Sequence, residues 1–348
     1  MIYSHEVFMQ RALDLAKMGD KRVAPNPFVG SVLVHDGRII GEGYHEYYGG
    51  PHAEVNCIHS VCEDDQKYIP SSTLYVTLEP CCFHGNTPAC TGLIIKSKIP
   101  KVVLACVDPN AKVAGKGIDI LKENGVEVIS GILQEDASYL IRPFIRYLQK
   151  TPYIILKVVK SKDGYIGNKT KQIWLSNGLS TTLSHKWRSE IHGIMVGRNT
   201  VLIDNPSLTN RHWSGENPTR IVWDKSLNLG KELAVFDNSA PTIILNQVKD
   251  EVRDNLRFMN VSGMTLEEIS KLLFAHGIFT LIVEGGSATV SQFYSKGLWD
   301  EARIITTAKN LSSNTSEDMI SAVGIFELVS EEFKLDDDKV EILLNSGR

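Results

Sequence analysis

The sequence of 348 residues has no apolar run near the ~18 to 20 residues that a bilayer-spanning helix needs, which removes a helical membrane protein from consideration. Its opening stretch, MIYSHEVFMQRALDLAKMG, carries charges throughout and lacks an uninterrupted apolar core, so no secretory signal is expected and the expected compartment is the cytoplasm. A basic excess is missing as well. Lys and Arg number 37 against 41 Asp and Glu, a net charge of −4, which disfavours a sequence-independent nucleic-acid binder. There is no internal repeat and no low-complexity tract, and 43% hydrophobic with 22% charged residues excludes disorder, collagen and coiled coil. Cysteine is missing after Cys106, and tryptophan is missing before Trp174. All six cysteines therefore crowd the first third, while the five tryptophans follow it. At roughly 150 residues per domain, this split predicts two differently built domains.

What is present alternates between strand and helix signals. GSVLVHDGRIIGEG, STLYVTL and KVVLACV are predicted strands, with helices over 52–61, 93–97 and 116–124 between them. An N-terminal amphipathic helix is predicted, capped by Ser4 and stopped near Gly19. In FIRYLQKTPYIILKVV a helix must end before Pro152, which places the domain boundary near 150. Beyond it ILKVV, GIMVG, RIVWD, PTIILN, FTLIVEGG and ARIITT read as strands. Leu183, Trp187 and Ile191 mark one apolar helix stripe. The acidic cluster 336–338 reads as a solvated turn. The fold class is α/β.

Reduced thiols crowded into one region point to a metal site or to chemistry. His52-Ala53-Glu54 opens a helix after Gly49-Gly50-Pro51, and Glu79-Pro80-Cys81-Cys82 leads out of a strand toward Cys90. An H-x-E motif alone is weak, whereas H-x-E with P-C and a further cysteine at a helix start is rare. It matches the zinc-deaminase pattern, in which one His and two thiolates hold Zn²⁺ while a nearby Glu moves protons without ligating. Such an ion lowers the pKa of a bound water from ~15.7 to ~7. Glu54 suits the proton shuttle. Thr91 is a plausible N-cap, putting Cys90 at a helix terminus that favours thiolate. Three residues after Cys81 stands His84, so the second protein ligand beside Cys81 is either Cys90 or His84. Cys57, Cys62, Cys82 and Cys106 read as packing residues. A purely structural zinc site is the bland alternative, and it leaves Glu54 unexplained.

In the second half, Glu284-Gly285-Gly286-Ser287 joins a strand to a helix, a turn whose N–H groups can hold a phosphate. The full G-x-G-x-x-G fingerprint is absent, so by itself the turn also reads as a tight connection. Arg188 and Arg211, taken singly, read as surface arginines.

Taken together these motifs resemble the bifunctional riboflavin-biosynthesis deaminase–reductase family. In the first half the resemblance rests on Ala24-Pro25-Asn26-Pro27-Phe28-Val29-Gly30, Gly50-Pro51-His52-Ala53-Glu54, Thr77-Leu78-Glu79-Pro80-Cys81 with Thr87-Pro88-Ala89-Cys90, and Asp108-Pro109-Asn110 with Val113-Ala114-Gly115-Lys116-Gly117. In the second it rests on Pro152-Tyr153 to Lys157, Asp163-Gly164, Trp174, Val196-Gly197 to Thr200, Asp204-Asn205-Pro206-Ser207-Leu208-Thr209 and Val283-Glu284-Gly285-Gly286. The resemblance implies a cytidine-deaminase-like α/β/α domain over 1–149 and a dihydrofolate-reductase-like α/β domain over 150–348.

It further implies His52, Cys81 and Cys90 as zinc ligands and Glu54 as the catalytic proton shuttle, with Asn26 and His45 lining the pyrimidine pocket. Val159, Trp174, Thr200, Asp204, Gly286, Ser287 and Ala288 would lie along NADPH. Lys157, Gln172, Arg188, Leu208, Arg211 and Glu284 would line the reductase substrate. The implied reaction is deamination of 2,5-diamino-6-ribosylamino-4(3H)-pyrimidinone 5′-phosphate, then hydride delivery to C1′ of the ring-opened ribose to give a ribityl chain. A homo-oligomer acting on small molecules, without nucleic acid or membrane, is expected.

Some positions depart from the family pattern. Gln172 stands where Ser is frequent, and Lys162 where an uncharged residue is usual. Phe83 and Asn86 replace the usual His and Lys or Arg of the zinc loop. A lost charge-assisted hydrogen bond is worth ~1.5 to 3 kcal/mol, roughly tenfold to a hundredfold in binding. The alternative is thus a paralogue that deaminates another, for example unphosphorylated, pyrimidine. Two readings from other classes are a nucleic-acid-editing deaminase, disfavoured by the charge, and a regulatory nucleotide-binding protein with structural zinc.

Overall fold

The structure, a computed structural model, describes residues 4–83, 88–311, 318–325, 327 and 329–347. Its contacts divide the chain into two compact units, Met1–Gln149 and Lys150–Arg348. Among the described residues no helix is long and apolar enough to cross a membrane.

The first unit is a sheet between two helical layers. Its strand order is Arg38–Tyr44, Gly30–His35, Thr73–Leu78, Lys101–Cys106, Glu127–Ser130. The first three strands pair antiparallel and the last three parallel. The run GSVLVHDGRIIGEG is a hairpin, split by Asp36 and Gly37 at φ 47° and 77°. Successive side chains of a strand point to opposite faces, and the core divides accordingly. Val32, Val34, Tyr75, Val103 and Ala105 pack with Phe8, Met9 and Leu13 of helix His5–Ala16. Leu33, Leu74, Val76, Val102 and Leu104 pack instead with Cys57, Ile58, Ile94 and Leu121. Those residues belong to helices Ala53–His59, Cys90–Lys96 and Lys116–Glu123. The parallel strands Thr73–Leu78 and Lys101–Cys106 end together at the site described below.

In the second unit a sheet of ten described strands runs Glu251–Arg253, Leu256–Asn260, Thr242–Asn246, Thr219–Trp223, Gly193–Gly197, Thr280–Val283, Tyr153–Lys160, Glu301–Thr306, Asp338–Leu344, Val329–Leu335. Leu256–Asn260 through Glu301–Thr306 is parallel throughout. The chain moves outward from Gly193–Gly197 to Thr242–Asn246, then returns to insert Thr280–Val283 beside Tyr153–Lys160. Ligands of open parallel sheets bind beyond the carboxyl ends of the strands at such a reversal.

Several local expectations need correction. Thr91 is not an N-cap, because helix Cys90–Lys96 already begins at Cys90 with Ala89 in the cap position. The Thr91 hydroxyl instead donates to the Cys81 carbonyl at 3.3 Å. Ser4 stands at the N-cap of the first helix but makes no side-chain cap bond. Helix Gly178–Ser189 ends before Ile191, which is buried all the same beside Trp187. The cluster 336–338 is only partly a solvated turn. Asp338 is buried and accepts the Asn177 N–H at 3.1 Å, supplying an acceptor to the segment that leads into helix Gly178–Ser189. Cys57 and Cys106 are packed, and burial pushes both thiols up to about 12. Cys62, however, is exposed and Cys82 only half-buried, so neither is a core residue.

Candidate active site

The strand ends of the first unit converge on a small cavity of about 140 Å³ lined by Asn26, His45, His52, Glu54, Glu79, Cys81, Phe83, Asp108 and Asn110 among others. His52 caps helix Ala53–His59, Cys81 follows strand Thr73–Leu78, and Cys90 opens helix Cys90–Lys96. His52 Nδ1 lies 3.5 Å from Cys81 Sγ and 3.3 Å from Cys90 Sγ. All three candidate ligand atoms fall within 4.8 Å of one another. A tetrahedral zinc at ~2.05 Å from nitrogen and ~2.3 Å from sulfur sets N···S separations of about 3.5 Å, so the donor set fits that ion in spacing and chemistry. The other ligand candidate, His84, lies outside the described residues, as do Asn86 and Thr87.

The two thiols are unequal. Cys81 is held down at about 4 by a hydrogen bond from the Cys90 thiol, assisted by His52 and the Cys90 N–H. That N–H, the first of the helix, donates to Cys81 Sγ at 3.3 Å. The same thiol–thiol bond, with burial, pushes Cys90 well up. The helix terminus expected to favour the Cys90 thiolate thus serves Cys81. Glu54 is 3% exposed, and burial raises its carboxyl above the ordinary value. A carboxyl poised upward in this way suits proton transfer near neutrality.

Asn26 and His45 form a linked pair. His45 Nδ1 is 2.9 Å from the Pro51 carbonyl, which can only accept, so Nδ1 carries the proton. Its Nε2 then accepts from Asn26 Nδ2 at 2.9 Å. Burial lowers the His45 pKa, keeping this neutral tautomer. His45 is therefore a buried wall of the pocket.

The second unit holds a groove of about 900 Å³ beyond the strand ends. Lys157, Val159, Thr200, Asp204, Glu284, Gly286, Ser287 and Ala288 line it. Gly285 allows two strand ends to meet, since a Cβ there would lie 2.6 Å from the Gly197 nitrogen and 2.7 Å from Val196 Cα. The Gly286 N–H is bound by Thr200 Oγ1 at 2.9 Å. Helix Ser287–Ser295 opens directly into the groove, an arrangement that fits a phosphate-bearing dinucleotide in size and polarity.

At one end stands a buried charge cluster. Glu284 takes a bidentate pair of bonds from Arg188 at 3.1 and 2.8 Å, and Lys157 Nζ is 3.4 Å away. Burial would raise the Glu284 pKa, but these two cations win and hold it at about 2. Arg188 also donates to the Thr209 carbonyl at 3.3 Å, and Arg211 to Thr209 Oγ1 at 2.9 Å. Leu208 is buried beside them at φ 54°.

Not every expected residue lies in the groove wall. Gln172 reaches the Asp204 carbonyl at 3.3 Å from outside the lining. Trp174 is 62% exposed and is absent from the lining, where Ile173 takes part. Arg188, Leu208 and Arg211 gather around Glu284 without lining this cavity.

Comparison with known proteins bears on both halves. A family description, "Cytidine and deoxycytidylate deaminase zinc-binding region", matches residues 2–106, and "RibD C-terminal domain" matches 152–341. The riboflavin biosynthesis protein RibD of Aquifex aeolicus is 37% identical, with 97% of this chain and 95% of that protein covered. The chain belongs to the RibD family. The Escherichia coli RibD is 32% identical over 89% of each chain. A crystal structure from Thermotoga maritima, described as a diaminohydroxyphosphoribosylaminopyrimidine deaminase/5-amino-6-(5-phosphoribosylamino)uracil reductase, superposes with a TM-score of 0.86 at 36% identity. It covers 97% of this chain and 98% of that one. This RibD-family chain is accordingly a riboflavin-biosynthesis enzyme that joins a zinc-dependent deaminase to an NADPH-dependent reductase. The relatives lend no support to a deaminase for another pyrimidine.

Some functional geometry was missed from the sequence. Glu79 was read only as part of a motif, and Asp108 and Asn110 only as markers of resemblance; all three line the deaminase cavity. Burial raises Asp108 to about 6. Arg198, Lys225 and Ser226 line the groove and were not singled out. His185 accepts the Arg211 N–H at Nδ1, 3.0 Å away, and burial with the nearby cations pushes it down to about 4, so it stays an acceptor. A doublet such as Gly197-Arg198 after a strand was the available signal for Arg198. For His185 there was none.

Proposed function

We propose that the chain deaminates 2,5-diamino-6-ribosylamino-4(3H)-pyrimidinone 5′-phosphate and then reduces its ribose to a ribityl chain. The observation carrying this reading is the His52–Cys81–Cys90 triad, with a buried Glu54 two residues from His52. His52, Cys81 and Cys90 hold the zinc, which when bound supplies a water of pKa ~7. Glu54 would take one proton from the attacking water and hand it to a ring nitrogen, then take the second from the hydroxyl so added and hand it to the departing amine. Asn26 and His45 hold the pyrimidine edge through their fixed hydrogen-bond directions. In the second unit NADPH supplies the hydride. Val159, Trp174, Thr200, Asp204 and 286–288 would hold the cofactor, although Trp174 lies outside the groove wall, as does Gln172 on the substrate side. Lys157, Arg188, Leu208, Arg211 and Glu284 hold the ribosyl substrate and orient C1′ toward the cofactor; the protein's share is positioning and exclusion of water.

The cytoplasm is the proposed compartment, supported by six free cysteines, and a homo-oligomer is the proposed assembly, which sedimentation tests. The experiment for the two reactions offers the diaminopyrimidinone phosphate to zinc-loaded protein with and without NADPH, following ammonia and NADPH absorbance separately. Ammonia in both cases, with NADPH oxidised only after deamination, is expected. No ammonia would overturn the substrate assignment, and ammonia without NADPH oxidation would overturn the reductase. Activity that survives Cys90→Ser but not His84→Ala would replace Cys90 by His84 as ligand.

A further inference from the structure

Glu79 is 3% exposed, and the chemistry assigned to the deaminase does not use it. It stands where the parallel strands Thr73–Leu78 and Lys101–Cys106 end, its own N–H donating to the Cys106 carbonyl at 3.0 Å. Its carboxylate accepts four backbone N–H groups. Oε2 receives those of Asp108 at 3.2 Å and Gly115 at 2.9 Å, and Oε1 those of Gly117 at 2.9 Å and Ile118 at 3.2 Å. Three of these donors stand at the start of helix Lys116–Glu123, whose first N–H groups have no partner within the helix.

The two strand exits have different tasks. One leads through Glu79 and Pro80 to the candidate ligand Cys81. The other leads to Asp108, Asn110 and Val113, which line the same cavity as His52 and Cys81. Glu79 binds these exits together. The seam is tight, because a Cβ on Gly117 would lie 2.3 Å from the Pro80 carbonyl.

We propose that Glu79 is a positioning residue of the deaminase, a four-way backbone clamp that sets the distance between the metal-ligand segment and the 108–113 wall of the pyrimidine pocket. The proposal rests on the deaminase reading above and deepens it. Only a carboxylate suits the place. A glutamine has the same length but turns an NH₂ donor toward two of the four N–H groups, so two bonds are lost and replaced by donor–donor opposition. The ligand side chains themselves are untouched by that exchange.

The test uses the full zinc-loaded chain and Glu79→Gln. KM of the diaminopyrimidinone phosphate for ammonia release should rise roughly tenfold or more, with kcat within about threefold of wild type, as expected when ground-state fit is lost. Zinc should stay at one per chain, and NADPH-dependent reduction of the deaminated intermediate should be unchanged. Amide hydrogens of 108–118 should exchange faster than in wild type, while those of Thr73–Leu78 should not. Ammonia release by the wild type tests the substrate reading by itself, and the exchange pattern tests the clamp by itself. Unchanged KM, unchanged exchange over 108–118, or activity lost only in proportion to zinc would each overturn the proposal. Should Glu79→Gln fail to fold, Gly117→Ala presses on the same seam and must raise KM alone; an unchanged KM there is equally fatal.

Discussion

Single side chains divide the work of this enzyme, and the buried Glu54 and the partly exposed Arg198 show how differently they can be recognised. Glu54 has a proposed role that is legible in the sequence, because it depends on a neighbour two positions away, His52, and both residues line the same cavity. Its carboxyl is raised by burial and can carry a proton that glutamine cannot. Glu54→Gln should therefore retain zinc while ammonia release falls by ~10² to 10⁴, the usual worth of a positioned acid–base group. Metal analysis alongside ammonia assay checks this, and loss of zinc with activity would make Glu54 structural. Arg198 was not legible, since its meaning depends on how Asp224 is turned. An acidic residue presented at a strand end favours the ribose 2′-hydroxyl of NADH, and an arginine there the 2′-phosphate of NADPH. Asp224 is buried, accepts the Leu229 N–H at 3.1 Å and lies 3.7 Å from Arg198 Nε, so it backs the arginine and is absent from the groove wall. Arg198→Ala should weaken NADPH binding roughly tenfold or more and NADH binding little, the loss of a charge-assisted contact. Fluorescence titration with both nucleotides decides it, and an equal loss for both would remove Arg198 from cofactor choice.

Elements followed the sequence wherever their signal was local. Apolar runs of four to six residues became the parallel strands, and GIMVG is a strand over its full length. Pro152 separates helix Arg142–Leu148 from strand Tyr153–Lys160 as its chemistry requires. What stayed hidden was tertiary. Asp338 is buried because Asn177 needs an acceptor, and Glu79 is buried because a distant helix start needs one; neither need is written in the flanking residues. The glycine turn after Thr280–Val283 lies between these cases. Its sequence suggested both a phosphate turn and a plain connection; Gly285 gives the strand ends the room that a tight connection needs, and Gly286 leads into the helix that lines the groove. Gly285→Ala should consequently cost stability, about 1 to 3 kcal/mol for an added methyl against backbone, and also NADPH affinity. Denaturant unfolding with and without NADPH separates the two effects. A variant as stable and as tight-binding as wild type would show that the turn accommodates a Cβ.

At the scale of the molecule, the missing tryptophans and missing cysteines that divide the sequence correspond to two ways of handling buried charge. The first unit gathers groups that a metal ion can pair, and their placement depends on His, Cys and Glu at short spacings. The second unit pairs its buried charges with each other, joining Lys157, Arg188 and Glu284 from three separated segments, which is why Arg188, taken singly, read as an ordinary surface residue. That difference has a pH consequence. The folded pKa of Glu284 is depressed to about 2 from an ordinary 4.5, so its ion pairing stabilises the fold above about pH 4.5 and is lost as pH falls toward 2. Glu284→Gln leaves two buried cations without their anion and should cost about 3 to 5 kcal/mol near neutrality. Because the wild type loses the same pairing in acid, the gap between the two proteins should narrow steadily below pH 4.5. Urea unfolding from pH 7 down to 3, monitored by the fluorescence of tryptophans that all lie in the second unit, measures that gap. A gap that stays constant across the range would mean that Glu284 titrates alike in the folded and unfolded chain, and that Arg188 and Lys157 are held by something other than its charge.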